Sequence, residues 1–461
     1  MKLGRPSFLL LNYMENIKKK INEESIWRQF FKLSIPIAIA NFLQSAYSIT
    51  DAFWLGRLNS ESLAAISICS SIVFLVISLG AGLFISGSVL ISHHKGREDH
   101  ENISFISAQL IILMVIVSFL LSVLGYFISP FLIKMIGAEQ LIPFGAISYL
   151  QLFFVSTVFV FAFALYQALM RAVGDVKTPV YIILSTVLIN FIIDPIFIFG
   201  FGFIPQLGTE GAALATLFCE VINVLIVAYL FFKGKCGITL KKEDFKINLK
   251  AVKKILKVAI PSSMEQFSRS LGFLFIAFMV AKLGTTSIAA YGVGGEILGL
   301  ILVVSLSFMM ATSVMVGRSV GSGNFERAES ITKAIGKISF LVLTFLGMLS
   351  FFFAEQISIL FVPDDPAVLA QSILYLQTMS LFFGFLGVQQ IFNGTFIGAG
   401  HTKISMFLAI ISLWVLRVPV AHVLSIYFGF AGICWSFPIA NIIAAILGYF
   451  VFASGKWKKE A

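Results

Sequence analysis

The stretch Ser34–Gly56, SIPIAIANFLQSAYSITDAFWLG, decides the fold. It is long enough to cross a bilayer, since roughly 20 apolar residues in an α-helix span the hydrocarbon core. Yet it carries a carboxylate, Asp51. A charge at membrane depth costs at least about 2.5 to 3.5 kcal/mol on insertion scales, so it is expected to line a cavity or pathway. A second run, VYIILSTVLINFIIDPIFIFGFG from Val180 to Gly202, buries Asp194 in the same way.

Outward from these two runs the pattern continues along the whole chain. The 461 residues are 58% hydrophobic and 12% charged, against about 25% charged in soluble proteins; mean hydropathy is +0.96. About twelve apolar runs can be placed, starting near residues 33, 65, 105, 147, 180, 209, 257, 288, 336, 374, 405 and 431. They leave short connections and no room for a soluble domain. The expected fold is an all-α polytopic membrane protein with twelve transmembrane helices.

The longest polar connection, Lys233 to Lys257, divides the chain into two halves that repeat one another. A shift of 225 residues brings Pro36 onto Pro261, Ser62-Leu63-Ala64-Ala65 onto Ser287-Ile288-Ala289-Ala290, Ser88 onto Ser313 and Gly96 onto Gly321. Further on, ALMRAVGDVKTP (168–179) meets GTFIGAGHTKIS (394–405), and Pro195 meets Pro419. Each half holds an even number of spans, so both enter the membrane the same way. Such parallel repeats are related by an axis along the membrane normal, with the pathway between them. The expected organisation is a cytoplasmic segment 1–32, a six-helix lobe 33–232, a cytoplasmic linker 233–257, a second lobe 258–453 and a cytoplasmic tail 454–461. Prolines 36, 195, 261 and 419 interrupt helical hydrogen bonds, which membranes tolerate mostly where neighbours or a cavity re-satisfy the backbone.

Charge placement gives orientation. Roughly 28 of the 33 Lys and Arg fall in the termini and the even-numbered connections; Arg57, Lys134 and Lys282 fall in the odd ones, and Arg269 and Arg417 within spans. This is the positive-inside pattern with both termini cytoplasmic. It accounts for the net charge of +10 without a nucleic-acid partner. Segment 7–14 is too short for a secretory signal and lacks a small-residue cleavage site, and the chain from Met14 reads as a cytoplasmic lead into the first helix. The four cysteines, 69, 219, 236 and 434, show no pairing or metal spacing, and three of them read as small buried hydrophobes.

Helical geometry gathers the polar residues of the first half. At 1.5 Å rise per residue, Asp51, Asp194 and Thr216 all lie within about two turns of the outer surface. Asn190, four residues before Asp194, shares its face, and Gln44, Tyr47 and Asp51 share one face of the first span. These groups could supply oxygen ligands to a sodium ion. Alternatively one carboxylate could hold a proton, since two buried negative charges repel. A static hydrogen-bonded network is the structural alternative. The second half has Ile276 and Val418 where the first has its aspartates, so the symmetric frame does not require acids there. Glu265 and Arg269, i and i+4 on the seventh span, read as a mutually neutralising pair, or else as a second polar site. Glu220 and Glu296 stay unassigned between cavity and surface. Arg417, near Pro419, is expected to bond backbone carbonyls, and the histidines to lie mostly in cytoplasmic loops.

The combination of SIP…Q..Y..TDAFWLGRLNSESLAA, ALMRAVGDVKTP, NFIIDPIFIFGFG and GAALAT resembles the multidrug and toxic compound extrusion (MATE) transporters, and within them the DinF-like branch. The resemblance runs from about Ile26 to the C-terminus. It implies two six-helix lobes around a V-shaped cleft and export of amphipathic, mostly cationic compounds in exchange for protons or sodium ions. It also implies that Asp51, Asn190, Asp194 and Thr216 form the cation site, with Gln44 and Tyr47 near the bend of the first helix and Pro36 its kink proline. Glu265 and Arg269 depart from the DinF-like pattern and resemble the acidic seventh span of the other bacterial branch. No cofactor beyond the coupling ion is expected, and a monomer in the cytoplasmic membrane. Two other transport readings share the frame: a lipid-linked saccharide flippase of the same superfamily, for which more intramembrane basic residues would be expected, and a major-facilitator-type carrier, whose basic loop after span 2 is poorly matched by HHKGREDHEN. An intramembrane enzyme is disfavoured, because no His/acid or Ser/Lys pair sits at catalytic spacing.

Overall fold

A computed structural model of the protein describes residues 8–135, 145–202, 204–234 and 237–458, with side chains from Ile26 onward. The first seven residues, Cys236 and the last three residues of the tail lie outside these. Six long helices form the first half: α1 (Phe8–Leu55), α2 (Ser60–Gly96), α3 (His100–Met135), α4 (Ala146–Val173), α5 (Lys177–Phe199) and α6 (Gly208–Phe232). The second half holds α7 (Leu249–Ala281), α8 (Thr285–Gly321), α9 (Phe325–Phe352), the short α10 (Ala354–Phe361), α11 (Pro366–Ser380), α12 (Phe383–Gly398), α13 (Thr402–Ile410), α14 (Val418–Phe428) and α15 (Phe430–Ala453).

Among the described residues nine helices, counting α13 to α14 as one, are long and apolar enough to cross a membrane, and the pair α11–α12, bent by 51°, is a tenth. The remaining two of the twelve are α1 and α7. Each is less apolar because it carries polar residues inward: Gln44, Tyr47 and Asp51 on one, Glu265, Gln266 and Arg269 on the other. The outer surface is apolar where lipid would meet it. Phe119, Phe127 and Phe131 of α3 and Leu341, Phe345 and Phe352 of α9 are all more than half exposed, which a water-facing surface would not sustain as a patch.

Local chemistry sets the helix ends. Asn59 caps α2 by accepting from Ser62 N at 2.7 Å, and Asp365 caps α11 ahead of Pro366; both satisfy amides that lack intrahelical partners. Asn248 caps α7, so that helix starts at Leu249, eight residues before the end expected for the linker. Gln109 of α3 holds the linker in place. Its amide donates to the carbonyls of Asp244 and Lys246, both at 2.8 Å, and accepts from Asn248 N at 3.0 Å. His93 and His94 occupy the last turn of α2 rather than a loop.

The halves pack as two lobes. In the first, α4 lies against α2, α3 and α6, and α1 rests on α5; in the second, α12 lies against α8 and α9, and α7 against α13. The lobes meet where α2 crosses α7 and α8 and where α1 crosses α8. Glycine permits the approach. A Cβ on Gly82 would sit 2.0 Å from the Ala259 carbonyl oxygen, and one on Gly96 would sit 2.1 Å from that of Arg318.

Candidate functional site

Three helices of the first lobe each present polar residues at i, i+4 spacing, stacking them on one face: Tyr47 and Asp51 on α1, Thr186, Asn190 and Asp194 on α5, Thr216 and Glu220 on α6. The result is two tiers about 6 Å apart, the rise of four helical residues.

The outer tier brings together the four residues expected as a cation site. Asn190 Nδ2 donates to Asp194 Oδ1 at 2.8 Å, and Thr216 Oγ1 donates to Asp51 Oδ1 at 3.4 Å. The carboxyls of Asp51 and Asp194 face one another as interacting neighbours. Asp51 is 4% exposed, and Asp194 and Asn190 are fully buried. Asp194 Oδ2 and Asn190 Oδ1 have no hydrogen-bond partner. Two buried neighbouring carboxylates repel one another when both are ionised. A proton between them, or a cation taking their free oxygens, meets the cost of burying two like charges.

The inner tier was not legible as a unit from the sequence. Asn223 Nδ2 donates to Glu220 Oε2 at 3.2 Å, and Thr186 Oγ1 donates to Asn223 Oδ1 at 2.9 Å. The Tyr47 hydroxyl lies beside Thr186, Asn223 and Glu220. Glu220, left unassigned by its sequence, lines a cavity of about 230 Å³ with Asn41, Gln44, Gln167, Arg171 and Gln266. The i, i+4 step from Thr216 to Glu220 was the available signal for it. Gln44 therefore reaches the cavity while Tyr47 turns into the lobe. Pro36 is half-buried, and α1 runs through it as an uninterrupted helix. Glu296 is exposed on α8.

In the second lobe Glu265 and Arg269 form an ion pair. Arg269 donates to Glu265 Oε1 through NH2 at 2.9 Å and Nε at 3.3 Å. Arg417 departs from its expectation: among the described residues it makes no carbonyl hydrogen bond, and its guanidinium lies over the rings of Phe437 and Phe273. Cys69, Cys219 and Cys434 are buried free thiols. Among the described residues no group of three or more His, Cys, Asp or Glu comes together as metal ligands.

The MatE family model matches residues 36–196 and again 261–423, so each half is matched once, starting on the paired prolines 36 and 261. The probable multidrug resistance protein NorM of Thermotoga maritima is 28% identical over 458 residues, covering 98% of this chain and 97% of that protein. The probable multidrug resistance protein YoeA of Bacillus subtilis is 25% identical over 453 residues, covering 96% and 97%. Among solved structures, the outward-facing conformation of a multidrug resistance MATE family transporter of the MOP superfamily superposes with a TM-score of 0.87. It is 26% identical, over 94% of this chain and 96% of that one.

Proposed function

The chain belongs to the MatE family of transporters, a multi-pass membrane fold of two six-helix lobes, and we propose that it exports amphipathic, mostly cationic compounds in exchange for protons or sodium ions. The observation that carries the coupling is the pairing of Asp51 on α1 with Asp194 on α5, both buried, beside Asn190 and Thr216. The pair is a cation receptor of adjustable charge. Empty, it holds two negative charges at membrane depth; loaded with one proton or sodium ion, its repulsion is relieved. Because Asp51 and Gln44 share one face of α1, loading the site shifts the helix that lines the drug cavity. Moving one charge inward releases about 2.3 kcal/mol per 100 mV, enough to bias a two-state cleft severalfold.

In this reading the branch is the DinF-like one, the coupling site is Asp51, Asn190, Asp194 and Thr216, and Glu220 marks the inner end of the polar path. Gln44, Tyr47 and Pro36 belong to the moving part of α1. The basic ends face the cytoplasm, both termini lie there, and a monomer in the cytoplasmic membrane suffices. The alternative readings, a major-facilitator-type carrier and a lipid-linked saccharide flippase, are not favoured: the family match covers both halves of the chain, and the relatives carry multidrug-resistance names.

Purified protein in liposomes tests the proposal. A proton gradient and a sodium gradient are imposed separately while efflux of a cationic dye such as rhodamine 6G is followed. Efflux driven by one of the two gradients supports the reading, and efflux indifferent to both overturns it.

A further inference from the structure

Arg417 is an arginine buried in the second lobe with no acidic partner among the described residues. It closes the seven-residue π turn Ile411–Arg417 between α13 and α14 and is 6% exposed. A π turn in a membrane helix redirects the side chains it carries and frequently marks a functional site. Proline alone does not force it here. The matching helix of the first lobe, α5, passes Pro195 as regular α-helix.

The guanidinium carbon lies 5.0 Å from the ring centroid of Phe437 and 5.6 Å from that of Phe273. Ring faces hold the plane of a guanidinium while leaving its in-plane N–H donors free. Nε is buried without a hydrogen-bond partner, and so is Oε1 of Gln389, whose amide donates to Ser412 of the same π turn at 3.3 Å. Arg417, Gln389, Phe273, Phe437 and Arg269 line one cavity of about 240 Å³. Among the described residues no carboxylate lines it. The charge of Arg269 is answered by Glu265 at 2.9 Å; that of Arg417 is answered by no carboxylate among the described residues. A buried charge is stable only when paired or hydrogen-bonded. Carboxylates and phosphates present planar or tripodal oxygens that match the guanidinium edge.

We propose that this cavity binds the anionic group, a carboxylate or phosphate, of an aromatic amphipathic molecule, with Arg417 as its ion partner and Phe273 and Phe437 as its apolar walls. The first lobe offers carboxylates to cations, and the second offers a guanidinium to anions. The two cavities share Ile77, Ala81 and Gln266 in their linings, so one molecule can extend from one to the other. That the anion is cargo rests on the exporter reading above; that it binds at Arg417 does not.

The test measures binding of fluorescein, a xanthene dye that carries an aromatic carboxylate, to the purified full-length protein in neutral detergent by fluorescence anisotropy. Rhodamine 6G, a cation on a similar ring system, is titrated in parallel. Arg417→Gln should lower the fluorescein-to-rhodamine affinity ratio about tenfold or more, and Arg417→Lys should lower it less. Gln389→Glu, which places a carboxylate in the same cavity, should abolish fluorescein binding and serves where Arg417→Gln does not fold. A wild type that fails to bind fluorescein, or an Arg417→Gln loss equal for both dyes, overturns the proposal. Nanodiscs of phosphatidylcholine with and without phosphatidylglycerol separate cargo from lipid. Fluorescein displaced by phosphatidylglycerol and never transported would assign the site to a headgroup and overturn the cargo assignment. Failure of rhodamine export in liposomes would sink the exporter reading while leaving Arg417-dependent binding intact.

Discussion

Nε2 of His93 lies 2.7 Å from the carbonyl oxygen of Gly398, joining the end of α2 in one lobe to the end of α12 in the other. The contact has a twin. Arg318 at the end of α8 donates through NH2 to the carbonyl of Ala172 at 2.8 Å. The repeat maps His93 onto Arg318 and Ala172 onto Gly398, so the fold makes one latch twice, with different side chains. The glycines follow the same symmetry. A Cβ on Gly96 would meet the Arg318 carbonyl oxygen at 2.1 Å, and one on Gly321 would meet that of His93 at 2.2 Å.

Alternating access in the proposed exporter, with one lobe rocking against the other, would have to open this end. An ideal Cβ on Gly317 would lie 2.9 Å from Ser92 Cβ, about 0.6 Å short of the roughly 3.5 Å lower limit for a disulfide. Ser92→Cys with Gly317→Cys should crosslink under mild oxidation after a small local shift. Transport should stop when the bond forms and return on reduction. Undiminished transport by the fully crosslinked protein would exclude rocking about this seam.

Asp51→Asn and Asp194→Asn should each reduce coupled dye export roughly tenfold or more, the scale of a coupling free energy, while the protein stays folded and inserted. Folding should survive because a neutral amide is cheaper at membrane depth than a carboxylate. Size-exclusion profiles and efflux from liposomes read the two arms separately. Wild-type efflux in both variants would remove these residues from the coupling site.

The fold was readable because hydropathy and the 225-residue register are properties of the whole chain. The outer tier was readable because helical rise alone puts Asp51, Asp194 and Thr216 at one depth. The latch was not, since its acceptors are backbone carbonyls, which leave no mark on residue identity. Nor were the π turn before Arg417 and the 51° bend between α11 and α12. Their first-lobe counterparts, α5 and α4, run on as unbroken helices, so sequence similarity between the halves pointed the other way. Glu220 was missed because its neighbours in α6, Thr216 and Asn223, mark a polar face without saying whether that face turns to a cavity or to the surface.

The Glu265–Arg269 pair should behave as a structural unit. Glu265 has 5% side-chain exposure and Arg269 24%. Removing the arginine strands a buried carboxylate, whereas removing the glutamate leaves a guanidinium able to reach the cavity. Arg269→Gln is expected to cost about 1–3 kcal/mol and Glu265→Gln less, below the full penalty for a completely buried pair because of that exposure. The double change Glu265→Gln with Arg269→Gln should recover most of the loss. Thermal unfolding in detergent reads the order. A more damaging Glu265→Gln, with export lost before stability, would make Glu265 a second coupling residue.

The last prediction concerns competition between cation and drug. Protonating the Asp51–Asp194 pair cancels the repulsion that keeps it ready for a cation, and α1 carries both Asp51 of this pair and the Gln44 that lines the cavity proposed for the drug. With the pair loaded the drug is held less tightly, so dye affinity should fall as the medium is made more acidic. If sodium uses the same oxygens, affinity at alkaline pH should fall as sodium is added. Linkage makes the effect reciprocal: drug binding weakens cation binding by the factor by which the cation weakens the drug, typically about 5- to 150-fold. Rhodamine 6G titrations in detergent across pH, with and without sodium, measure that factor directly. Asp51→Asn should flatten the dependence, because one carboxyl can no longer ionise against the other. An affinity constant across the whole range in the wild type would rule out competition through this pair. A dependence that survives unchanged in Asp51→Asn would move the competition to Glu220, the remaining carboxylate on the cavity wall.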